Sequence, residues 1–67
     1  MEPPKVETVM IDYSGGLISK ITVKPSDKLT DALKRMLFYN ASRLTVVEDG
    51  QPVGILQLKD ALKKLGL

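Results

Sequence analysis

The sequence predicts a small α/β (α+β) unit in the order β-α-β-β-α, a mixed sheet with two helices packed on one side. Three observations carry that prediction. Leu29, Ala32, Leu33, Met36 and Leu37 follow the i, i+3, i+4, i+7, i+8 spacing of an amphipathic helix. Asp49-Gly50 stands between two apolar, β-branched runs, a strong short-range hairpin signal. Leu58, Ala61, Leu62 and Leu65 form a second helical stripe.

Taken in order, residues 1–16 read as a lead-in or linker and residues 17–67 as the folded motif. The opening "MEPPK" has paired prolines, which resist regular structure, and reads as a disordered or appended leader. "VETVM" suits one turn of helix or a short extended piece. "DYSGG" is a breaker, with Gly15 and Gly16 free to take positive φ. "LISKITV", Leu17–Val23, is rich in β-branched residues and reads as a strand that Pro25 ends. Ser26 or Asp27 can cap the helix that follows, Asp31 suits its first turn, and Asn40 suits a left-handed stop. Its stripe assigns Leu29, Leu33, Met36 and Leu37 to the core. Phe38 and Tyr39 cannot both share that face, so at least one is expected at the surface or at a contact between chains. The hairpin runs Leu44–Val47, turn Glu48–Gln51, Pro52–Leu56, and Gly66 stops the closing helix.

Composition narrows the function. A chain of 67 residues makes one domain, and a domain this small buries only about 60% of its unfolded surface. It has neither Cys nor His, so no disulfide supports it, and the absence of thiols fits a reducing compartment. A metal site would need carboxylates alone, and the usual acid–base and thiol chemistries are missing. Ser14, Ser19, Ser26 and Ser42 lack a candidate base, and Glu48 and Asp49 fall in a solvated turn. The reading is a non-enzyme with no metal, soluble and cytoplasmic, without a membrane span or signal peptide. A thin core is best supplemented by a second chain or domain. The net charge of +2 is spread along the chain; Lys59, Lys63 and Lys64 read as a solvated helix face, so nucleic-acid binding is a weaker alternative.

Two residues point to a ligand. Gly54 interrupts an apolar strand, as a strand bulge does or a site of close approach by backbone or ligand. Asp60 follows in the first turn of the last helix, where the dipole favours an acid and a helix N-terminus can attract phosphate.

"ITVKPSDKLTDALKRM", "SRLTVVEDGQPVGIL" and "LKDAL" together resemble the cystathionine-β-synthase (CBS) domain, over about residues 21–65. "VETVM" is similar to the lead-in before many such domains. The resemblance implies a pair of motifs packed through their sheets with clefts between them, here through a homodimer or a second motif of a parent chain. It also implies an adenine nucleotide such as AMP or ATP, or an adenosyl ligand. The controlled parent would be an enzyme, a channel or a transporter, such as a transporter ATPase subunit. By the same resemblance Asp60 holds ribose hydroxyls and the backbone of Ile21, Thr22 and Val23 lines the base. Arg43 is a candidate for phosphate, and Leu44, Thr45, Gly54, Ile55 and Gln57 complete the candidate site. Three features depart from the family pattern. Gln57 replaces a serine or threonine, Thr45 stands where proline is common, and "YSGGLIS" lengthens the chain between Met10 and Pro25. A structural dimerisation module without ligand is the alternative that Gln57 favours.

Overall fold

The structure, a computed structural model, describes residues 2–16 and 18–67. In chain order its elements are a 3-10 turn (Val6–Thr8), β1 (Ile11–Asp12), β2 (Thr22–Val23), α1 (Leu29–Phe38), β3 (Arg43–Glu48), β4 (Gln51–Gln57) and α2 (Leu58–Lys64). From β2 onward this is the predicted β-α-β-β-α order; the turn and β1 precede it. The sheet order is β1-β4-β3-β2, with β2 parallel to β3 and the other pairs antiparallel.

The hairpin forms where its turn chemistry places it. Asp49 and Gly50 both take positive φ, 52° and 77°, the primed geometry that matches strand twist in a two-residue connection. Its pairing sets Leu44 against Leu56 and Val46 against Gly54. Because the side-chain period of a strand is two, these residues share one face. Leu44, Val46 and Leu56 are fully buried there with Leu29, Ala32, Leu33 and Met36 of α1 and Ala61 of α2. Leu58, Leu62 and Leu65 pack against the margin of this core.

Both helices end in the left-handed stops expected of Asn40 (φ 54°) and Gly66 (φ 76°). After α1, the Ala41 amide donates back to the Met36 carbonyl; after α2, the Leu67 amide donates to that of Leu62, both at 2.8 Å. These bonds satisfy carbonyls that a helix end leaves free.

The start of α1 differs from expectation. Lys28 is the capping residue and makes no side-chain bond. The Asp27 carboxylate instead accepts from the Lys24 amide at 2.9 Å, closing the Lys24–Asp27 turn that Pro25 favours. The helix gains its partner from the lead-in, since the Leu29 amide donates to the Pro4 carbonyl at 2.9 Å. Lys5 bridges to Lys28, and the Val6 amide donates to the Asp27 carbonyl. Pro4 and Lys5 are thus held by the fold, and Val6 is fully buried in the core.

Two further expectations are corrected. The strand read over Leu17–Val23 is regular only at Thr22–Val23, and Leu17 lies outside the described residues. Ser19 takes over the bonding upstream, as described below. Leu37 is 61% exposed although Met36 beside it is fully buried, so the buried stripe of α1 is Leu29, Ala32, Leu33 and Met36, and Leu37 falls outside it. Phe38 and Tyr39 are both exposed, with their rings edge to face at 4.9 Å.

The burial contrast gives a test of stability. Val6→Ala should lower the unfolding free energy by roughly 1.5–3 kcal/mol, whereas Leu37→Ala should change it by less than about 0.5 kcal/mol. Urea titration of both variants reads the difference; equal effects would contradict the packing of the lead-in.

Candidate functional site

Strand register sorts the candidate residues by face. Ile11 pairs with Ile55, Ile55 with Thr45, and Thr45 with Thr22, forming one row across all four strands. This row alternates with the core row and so lies on the face away from the helices. Arg43 pairs with Gln57, two residues along each strand and on the same face. The fold therefore brings Thr22, Arg43, Thr45, Ile55 and Gln57 together. Val23 and Leu44 turn their side chains into the core, leaving only their backbones to a ligand.

Gly54 belongs to the core face. A Cβ built there would lie 2.8 Å from the Ile11 carbonyl oxygen and 2.9 Å from Met10 Sδ. The close approach foreseen at this glycine is made by the chain's own lead-in. The bulge lies beside it, since the pairing steps from Val46–Gly54 to Val47–Pro52 and leaves Val53 as the extra residue of β4.

Asp60 is half-buried in the first turn of α2. It lines an open pocket of about 510 Å³ with Thr8, Val9, Ile11, Lys63 and Lys64. Lys63 and Lys64 lie three and four residues further along the helix, on the Asp60 side. A carboxylate that can accept from hydroxyls thus stands beside two ammonium groups that can hold an anion. Ile11 ties this pocket to the outer sheet row. The first amide of α2 is already engaged, with Leu58 donating to the Ser42 carbonyl at 2.8 Å, and Gln57 makes no side-chain cap.

Ile21 lies at the other edge of the sheet, just before β2. It lines a groove of about 510 Å³ with Lys34, Arg35, Phe38 and Tyr39, and Arg35 Nη1 donates to the Thr22 carbonyl at 3.1 Å. Asp60 shares its pocket with Ile11 of β1, Ile21 precedes β2, and these two edge strands are three strand spacings apart, about 14 Å. One copy does not bring them to a single point.

The Thr45 environment was not legible beforehand. Thr45 is 4% exposed, covered by the stretch that lengthens the lead-in. Its amide donates to Ser19 Oγ at 2.8 Å, and its Oγ1 accepts from the Ser19 amide at 2.9 Å. Ser19 Oγ also donates to the Ile21 carbonyl at 2.6 Å. Thr8, Val9, Ile11, Ser19, Lys63 and Lys64 are the site neighbours that pattern reading missed. Thr8, Val9, Ile11 and Ser19 meet it through long-range packing, and Lys63 and Lys64 through the spacing of α2.

The family model described as CBS domain matches residues 6–67. The chain belongs to the CBS domain family. CBS domains are typically regulatory rather than catalytic. Among solved structures, it is similar to the CBS domain of a CBS domain containing membrane protein from Sphaerobacter thermophilus. That likeness is 36% identity with a TM-score of 0.63, over 66% of this chain and 27% of that one. The CBS domain pair of protein MJ0100, in complex with 5′-methylthioadenosine and S-adenosyl-L-methionine, is 30% identical with a TM-score of 0.64. That alignment covers 69% of this chain and 38% of the pair. An uncharacterized conserved protein from Pyrococcus horikoshii shares the fold at 24% identity and a TM-score of 0.75, over 91% of this chain and 42% of that one. The chain spans less than half the length of these structures. No curated protein matches it. Among the described residues, no helix is long and apolar enough to cross a membrane.

The contact at Gly54 predicts its own test. Gly54→Ala should destabilise the CBS domain by roughly 1–3 kcal/mol, the range for overpacking a filled site. Met10 can swing its sulfur aside, but the Ile11 carbonyl is backbone and can move only with β1. Hydrogen exchange should therefore speed up at Ile11 and Asp12 first; a variant as stable as the parent would mean that β1 does not lie over Gly54.

Proposed function

We propose that this CBS domain is one half of a regulatory module that binds an adenine nucleotide or adenosyl ligand between paired motifs. The module would control a parent enzyme or transporter. The observation that carries the reading is the pocket at the α2 start, where Asp60 stands with Lys63, Lys64 and Ile11. Its carboxylate suits the two hydroxyls of a ribose, and the lysines suit a phosphate or another anionic group. A related CBS domain pair holds adenosyl ligands, which supports the same chemistry here.

The arrangement of the sheet supports pairing. Ile11 is 43% exposed and Ile18 is 50% exposed, while Ile55 is half-buried on the face away from the helices. A second motif would cover this row, as a homodimer or from the parent chain. It would also solve the separation of Asp60 from Ile21, because a ligand between two copies can meet Asp60 of one and the base-side backbone of the other. The competing reading is a dimerisation module that binds nothing. It is favoured by Gln57, which neither caps α2 nor restores the family's usual hydroxyl.

Sedimentation at micromolar concentration should give a dimer, and a well-folded monomer would overturn the homodimer. Calorimetric titration with AMP, ATP, 5′-methylthioadenosine and S-adenosylmethionine should detect binding. Asp60→Ala should remove it, since a charge-assisted hydrogen bond contributes about 1.5–3 kcal/mol, while stability falls by only about 0.3–1 kcal/mol. Gln57→Thr should strengthen binding. No affinity in the parent and no gain in Gln57→Thr would leave the dimerisation reading standing.

A further inference from the structure

Three polar groups at the base end of the outer face are arranged like a recognition site, and the chain itself occupies them. The Thr45 amide offers a donor, while Thr45 Oγ1 and the Ile21 carbonyl offer acceptors. All three are engaged by Ser19. Its Oγ accepts from the Thr45 amide at 2.8 Å and donates to the Ile21 carbonyl at 2.6 Å, and its amide donates to Thr45 Oγ1 at 2.9 Å. A single hydroxyl thus acts as acceptor and donor on neighbouring partners. The edge of an aminopurine, with a ring nitrogen acceptor next to an exocyclic amine donor, makes the same pair of bonds.

The bonding takes the place of strand pairing. β2 begins only at Thr22, so a side chain, rather than a backbone ladder, holds the preceding residues to β3. A clasp of one residue is easier to open than a ladder, because its release breaks no further strand bonds. The residues before it are turn-like. Gly15 and Gly16 have φ of 92° and 95°, and the Tyr13 hydroxyl closes the turn by donating to the Gly16 carbonyl at 2.7 Å. Ile18, next to the clasp, is half exposed.

We propose that Ser19 is an internal occupant of the base end of the cleft, an autoinhibitory clasp that an aminopurine ligand must displace. The proposal rests on the adenosyl-binding reading above. In the free protein the clasped form dominates, and apparent affinity is reduced by the fraction of molecules that are open. Displacement would expose Thr45 and Ile21 to the ligand, and the released segment would carry the signal to whatever adjoins it.

The test compares affinities of the parent, Ser19→Ala and Thr45→Val for AMP and 5′-methylthioadenosine by calorimetry, with thermal melting as a check on folding. Ser19→Ala removes every contact of the Ser19 hydroxyl and should bind about tenfold more tightly, the gain expected when a form open about a tenth of the time becomes the main one. Thr45→Val is nearly isosteric, removes the two contacts that Ser19 makes with Thr45 Oγ1, leaves the Thr45 amide and the Ile21 carbonyl for the aminopurine edge, and should tighten binding a few-fold. It also serves if Ser19→Ala does not fold. A parent that binds while both folded variants bind equally or more weakly overturns the clasp and leaves the ligand-sensing reading intact. A silent parent with binding variants supports the clasp and overturns sensing by the unmodified chain. Folded variants that bind neither ligand, beside a silent parent, overturn both.

Discussion

The register of the β3–β4 hairpin is the constraint from which the other elements take their places. Asp49 and Gly50 set it through their paired positive φ values, and a slip of one residue would exchange the two faces of the sheet. With the register as it stands, Leu44, Val46 and Leu56 meet the helices, while Thr45, Ile55, Arg43 and Gln57 face outward. β2 attaches to one side of this hairpin and β1 to the other. The core and the candidate ligand face are therefore two consequences of one turn.

The lead-in completes what so small a hairpin and two helices leave open. Val6 fills the core, Pro4 supplies the first acceptor for α1, and Met10 and Ile11 lie where a side chain at position 54 would stand. The helix consequently has no need of the side-chain cap that Ser26 and Asp27 could have offered, and Asp27 is free to close the preceding turn. Each of these contacts joins residues far apart in the chain. That is why a stretch containing two prolines, and without a clear period, is nevertheless ordered by the fold.

Two departures from the family pattern meet in a single contact. Proline is common where Thr45 stands, and proline has neither an amide proton nor a hydroxyl. Thr45 has both, and each engages Ser19 in the extra length between Met10 and Pro25. The longer lead-in and the threonine thus fit one another physically. Thr45 can carry its polar groups almost fully buried because Ser19 satisfies them.

The two helical stripes, the hairpin turn, the left-handed stops at Asn40 and Gly66, and the family through the spacing of these pieces, can all be read from the amino-acid order. These are legible because they depend on residues within a few positions of one another. That order also singled out Gly54 and Asp60, yet it did not reveal what stood over the glycine or which side chains stood beside the acid. Packing of distant segments sets the exposure of Leu37, the restriction of regular strand to Thr22–Val23, and the placing of Asp60 near β1 while Ile21 precedes β2 at the opposite edge of the sheet. It alone joined Ser19 to Thr45, across 26 positions of the chain. The physical reason is common to all four. Burial and hydrogen-bond pairing across a sheet depend on which distant strand arrives, and no local period records that.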